Sequence, residues 1–193
     1  MMIVEATQPR YDAILVRHAV VDADPAHTLE AAAGLDLLTV RTPLLVAAMW
    51  IRGLPAKLTG TTPLQPPSLV IADGGLPGWL VLGRDEREIA FGAVGRFWTP
   101  VIEWRDVPRE EFAAFDEPGW GKIVANLSVR PYGNQRTLLS YECRTVITDA
   151  RSRRRFQLYW LVVRPFVAHI MGATLAAAKA DAESTLACGV DRA

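Results

Sequence analysis

Two periods dominate the second half of the chain. From Thr137 to Thr148 apolar and polar residues alternate, placing Leu139, Tyr141, Cys143 and Ile147 on one face, as a strand does. The period then lengthens. Phe156, Trp160, Val163, Val167, Ile170, Thr174 and Ala178 recur at helical spacing, and Asp149 stands ahead of them as an N-cap residue. Pro165 falls inside this run. It removes one backbone donor, but the apolar stripe continues past it, so the pattern predicts one long helix kinked near Pro165. A helix this long and this apolar needs a broad partner surface, which strands elsewhere in the chain supply.

Tyr11 to Val21 reads as a first strand. Asp24-Pro25 is a cap residue followed by proline at the first helical position, and it starts an Ala-rich helix over Ala26 to Ala33 that Gly34 can close. Thr42-Pro43 repeats the signal, predicting a second short helix over Leu44 to Trp50, closed by Gly53. Leu58 to Pro77 is rich in turn residues, with one short strand suggested around Ser68 to Ala72. A meander follows. Trp79 to Gly83 and Glu88 to Trp98 are strands around a turn at Arg84-Asp85-Glu86, and Ile89, Phe91, Ala93 and Phe97 share one face. The glycines of the second strand favour strong curvature. Glu110 to Phe115 suggests a helical turn. Lys122 to Arg130 is a strand joined through Pro131 to Gln135 to the Thr137 strand. No repeat or linker divides the 193 residues, so they read as one domain with flexible ends at 1–10 and 186–193.

Strand, two short helices, antiparallel meander and long last helix form an order that resembles the START/Bet v 1-like superfamily, also called the SRPBCC or polyketide cyclase/dehydrase-like group. The matching stretches are Val21 to Leu38 (VDADPAHTLEAAAGLDLL), the paired N-cap-proline helices, the glycine-punctuated meander, and Thr148 to Phe166 (TDARSRRRFQLYWLVVRPF). The resemblance implies an α+β helix-grip fold, a curved antiparallel sheet holding the C-terminal helix, with an apolar ligand between them. It carries over no catalytic residue, because no catalytic signature is common to the group.

Composition narrows the functions. Lys plus Arg and Asp plus Glu both number 21, which gives no electrostatic footprint for nucleic acid. Three histidines and two cysteines, without HExxH or CxxC spacing, predict neither a metal site nor another cofactor. GxSxG is absent, and Gly74-Gly75-Leu76-Pro77-Gly78 precedes a strand, so it lacks the helix N-terminus of a phosphate cradle. Met1 to Arg10 has no signal-peptide run. The apolar window Leu161 to Ala178 carries Arg164, Pro165 and His169, which reads as a core helix without stable membrane insertion. A cytoplasmic protein is expected.

Arg151, Arg153, Arg154 and Arg155 form the one basic cluster. It could meet an anion or a membrane headgroup; a solvated first helical turn is the simpler reading. Glu142 and Arg144 fall on the strand face opposite Tyr141 and are expected as a charged surface. The inward-facing positions carry few ionisable groups and many rings. Phe91, Phe97, Tyr141, Trp160 and Phe166 are the expected aromatic wall, with Met171 as further lining and His169 as a polar contact. The expected function is binding of an apolar or aromatic small molecule between the sheet and the last helix. Two other functions fit the same pattern. One is a cyclase- or dehydratase-like enzyme using that space, and the other an interaction module with a filled core. Sequence does not fix the oligomeric state.

Overall fold

The computed structural model describes residues 2–36, 70 and 78–190. The expected second short helix over Leu44 to Trp50 and the turn-rich stretch after it lie outside the described residues. So does the strand suggested at Ser68 to Ala72, except for Val70, which bridges Asp36.

The chain begins with a short helix, α1 (Ile3–Thr7), where the sequence suggests a loose end; Val4 is buried. β1 (Ala13–Val21) follows, then α2 (Pro25–Gly34). The Asp24 side chain accepts the His27 N–H at 3.0 Å and starts α2 as its cap. Next come β2 (Trp79–Arg84) and β3 (Glu88–Arg96). They join through a turn in which Asp85 Oδ1 accepts the N–H groups of Arg87 and Glu88 at 2.8 and 2.9 Å. A three-residue strand, β4 (Glu103–Arg105), and a single turn of helix, α3 (Arg109–Phe112), lead into β5 (Gly121–Pro131) and β6 (Thr137–Ile147). The last element, α4 (Ala150–Val190), runs 41 residues, roughly 60 Å at 1.5 Å per residue.

The strands form one antiparallel sheet in the order β1-β6-β5-β3-β2, with β4 paired to the far end of β3. A register shift between Val81 and Gly83 marks a bulge in β2, which adds local twist. α4 runs through Pro165 without a break, and the proline leaves the Leu161 carbonyl without its helical donor. Asp149 caps α4: it accepts from Ser152 N at 2.9 Å, Gly119 N at 2.7 Å and Arg151 N at 3.0 Å. Hydrogen bonds from Ser152 are the main cause that holds the Asp149 carboxyl down at about 2.

Near its start α4 buries Phe156 against Ala13 and Ile147. Further on, Met171, Leu175, Ala178 and Ala182 pack on α2 and the sheet. Lys179 Nζ donates to the Val20 carbonyl at 2.7 Å, and the Glu183 carboxylate accepts the Asp22 N–H at 2.9 Å, fixing α4 to the end of β1. A long C-terminal helix held across a curved antiparallel sheet is the helix-grip arrangement.

The sheet buries both faces at its centre. Ile89, Phe91, Ala125, Leu127, Leu139 and Tyr141 face α4 and α2. On the opposite side Ala90, Val94 and Val124 pack against Val4 of α1 and Phe112 of α3. The Glu142–Arg144 pair lies on that outer face as expected, but half-buried and not as an open charged surface, because Arg144 also donates to the Gln8 carbonyl at 3.0 Å beneath α1.

Candidate functional site

Nine aromatic rings form a connected arc on the helix-facing side of the sheet. It starts at Tyr141 on β6, whose ring centroid lies 6.2 Å from that of Phe91 on β3. Phe91 meets Trp79 on β2 at 5.6 Å, and Trp79 meets Trp104 on β4 at 6.5 Å. Trp104 contacts Phe97 edge-on at 5.9 Å, and Trp98 continues the series to Phe156 on α4 at 6.3 Å. Phe156 stacks on Trp160 at 5.7 Å and touches Tyr159 at 6.3 Å. The spacings and tilted or edge-on angles are those that ring quadrupoles favour.

Local sequence builds each part. Alternation places Phe91 and Tyr141 inward, because period two sends alternate side chains to one face. Phe97 sits just beyond β3 yet still reaches the inner face. Its ring lies over Gly95 and Gly121, which are register partners. A Cβ on Gly121 would lie 3.0 Å from Phe97 Cε2 and 2.8 Å from Ile147 Cδ1, so only glycine leaves space for the ring. Trp104 falls on the same face because β4 pairs Trp104 with Gly95, and it stays exposed at the edge of the arc. Arg96 braces that corner: it is paired with Glu103 at 2.8 Å, donates to the Gly119 carbonyl at 3.1 Å, and stacks over Trp120 at 4.4 Å.

Of the residues expected at the site, Phe91, Phe97, Tyr141 and Met171 are buried. Trp160 is half-buried in the stack on Phe156. Phe166 is half-buried and joins none of the core clusters among the described residues. His169, expected as a polar contact inside, is exposed. The reason is helical geometry: residues two apart point to nearly opposite sides, and Met171 takes the inward position. Trp79, Trp98, Trp104 and Phe156 belong to the arc and were not singled out as site residues from sequence. Trp79 and Phe156 carried a signal, as inward members of a strand and a helix.

The polar groups of the wall are few and neutral. Burial pushes the Tyr141 phenol up, with a smaller contribution from Cys143 beside it. Burial, then the Glu142 carboxylate, pushes the Cys143 thiol up to about 12. Both therefore stay protonated at neutral pH, as hydrogen-bond donors and not as bases or nucleophiles. The buried charged residues of the described chain, Glu88 and Lys122, both point to the opposite face. There Glu88 accepts from Asn126 Nδ2 at 2.6 Å and from the Ile3 N–H. Lys122 Nζ donates to the carbonyls of Phe112 and Ala113 at 3.1 and 2.8 Å. Among the described residues no cluster of His, Cys, Asp or Glu could hold a metal ion.

The basic cluster divides. Arg153 pairs with Asp12 at 2.8 Å and donates to the Ile147 carbonyl, while Arg151, Arg154 and Arg155 stay exposed. An open groove of about 410 Å³ separates β1 from α4 beside Pro165, lined by Leu15, Arg17, Arg164 and Ala168.

No family model and no curated protein matches this chain. Two solved structures are similar over most of its length. One is TTHA0849 from Thermus thermophilus, at 10% identity and a TM-score of 0.32, covering 90% of this chain and 99% of that one. The other is the ZhuI aromatase/cyclase from Streptomyces sp. R1128, at 12% identity and a TM-score of 0.33, covering 86% of this chain and 93% of that one. The class of the protein therefore rests on its own strands and helix: an α+β helix-grip protein with an aromatic inner face.

Proposed function

We propose that this protein binds an apolar, ring-bearing small molecule between the sheet and α4, against the aromatic arc. One observation carries the reading: the sheet sorts its chemistry, with connected rings on the side facing α4 and both buried charges on the other. An apolar guest there would meet polarisable ring faces and two protonated polar tips, Tyr141 and Cys143. Saturable binding of a hydrophobic fluorescent probe, with one site per chain, tests it. Met171→Trp should weaken that binding more than it weakens folding. If the parent protein does not bind saturably and Met171→Trp only destabilises, by about 1–3 kcal/mol, the inner face is a filled core. The interaction-module reading would then replace this one.

An enzyme of the cyclase or dehydratase kind has one observation in its favour. Tyr141 holds its proton in an apolar wall, where a phenol can polarise a carbonyl oxygen. Turnover of a cyclisable carbonyl substrate, lost in Tyr141→Phe with the fold intact, would shift the function to catalysis.

A further inference from the structure

We infer that the outward side of α4 docks this protein onto an anionic lipid surface. Leu158, Leu161 and Val162 are 70%, 76% and 66% exposed. Their spacing, continued by exposed Pro165, puts them on one side of the helix, turned away from Phe156 and Trp160. Single exposed leucines are ordinary on a protein surface; a contiguous ledge of them marks an interaction site. α4 is long and apolar enough to cross a membrane by length and composition, yet only 22% of its most apolar window is buried. Its inner face is committed to the sheet through Phe156, Met171 and Leu175, so the helix would lie on a bilayer and not span it.

Charge selects the partner. Between Ala150 and Ala180 the helix has six basic residues and no acidic one. Arg153 and Lys179 are tied to the fold by Asp12 and by Glu183. Arg151, Arg154, Arg155 and Arg164 are exposed, and none forms an ion pair with a described residue. An apolar ledge flanked by free arginines is the composition of a helix that rests in a headgroup layer. A second copy of this chain fits less well, because pairing the two ledges would set these arginines against one another. The groove beside Pro165 opens next to the ledge, with Arg17 and Arg164 at its rim. If the proposed ligand is correct, that groove offers a short path between bilayer and interior; the docking itself stands on the helix alone.

The test is co-sedimentation of the full chain with phosphatidylcholine vesicles, with and without phosphatidylserine, at low and high salt. The expected result is binding that requires phosphatidylserine and falls with salt. Arg154→Gln with Arg155→Gln should weaken it by more than about tenfold. Leu158→Glu with Leu161→Glu should abolish it, leaving the melting temperature and probe binding in vesicle-free solution unchanged. Equal binding to both vesicle types, or binding that survives both variants, overturns the proposal. So does a melting temperature that collapses in the leucine variant, which would make the ledge an interior surface. A dimer in light scattering that this variant converts to monomer assigns the face to a second copy and overturns it equally. Loss of probe binding by the parent protein would reject the ligand reading without touching this result.

Discussion

The two faces of the sheet's centre are both buried and differ in almost everything else. Behind β3, space is closed by fixed local partners: Phe112 covers Gly92, Glu88 is held by Asn126 and the Ile3 N–H, and Lys122 fills the carbonyls at the end of α3. In front of β3, large rings touch each other in series, and the polar groups among them are a phenol and a thiol held neutral. On the outer face both buried charges have partners within the chain, while the Asn126 Oδ1 and the Gln8 side-chain amide are buried without one. The inner face is apolar and rich in rings. Its residues should therefore answer to binding as well as to stability, and the outer ones to stability alone.

The largest expected effect is on the outer side. Phe112→Ala removes a fully buried ring and should cost about 3–5 kcal/mol in chemical denaturation, without changing probe affinity in the folded protein. An equal loss of affinity would mean the faces are not separable. Next is Lys122→Ala, which strands two carbonyls and should cost about 1–3 kcal/mol, again with probe binding intact. Phe91→Ala is the inner counterpart. It should cost less stability than Phe112→Ala but weaken the probe by about tenfold, a step of about 1.4 kcal/mol. A loss matching Phe112→Ala with no change in binding would make Phe91 ordinary core.

The smallest effects are in alkaline solution, where the faces should pull in opposite directions. Burial lowers the Lys122 pKa, only partly opposed by Asp116. The unfolded chain then holds that proton more tightly than the folded one, so this term adds stability as pH rises through the lowered value toward the ordinary 10.5. The Cys143 thiol does the reverse. It is raised from 9.0 to about 12, so its contribution is fully present below 9.0 and is lost as pH rises toward about 12. Cys143→Ala should flatten the alkaline loss and Lys122→Met the alkaline gain, read from denaturation midpoints between pH 8 and 11. Slopes unaffected by either variant would contradict these assignments.

Much of this was legible from period alone. β6 and α4 announce themselves because each holds one period for three or more turns or repeats, and Asp149 marks the border between them. Phe91, Tyr141 and Met171 follow from the same patterns. Three residues of β4 are too few to show alternation, so Trp104 could not be placed before its pairing with Gly95 was known. Glu88 and Lys122 look like solvent-facing positions in half-exposed strands; they are buried because α1 and α3 cover the outer face, which no local pattern records. His169 was misplaced for a simpler reason. The inward stripe passes through Met171 and Leu175, and a residue two positions earlier points away.

The central claim, that the inner face takes a guest, is best tested by energy transfer from the arc itself. Trp79, Trp98, Trp104 and Trp160 all belong to it, whereas Trp120 stacks under Arg96 at the outer corner. Titration with a hydrophobic probe that accepts tryptophan emission should quench the protein saturably at one probe per chain. Trp79→Phe with Trp104→Phe should lower the transfer by more than Trp120→Phe does, the remainder coming from Trp98 and Trp160. Transfer that rises without saturation, or that depends on Trp120 and not on Trp79 and Trp104, would contradict it.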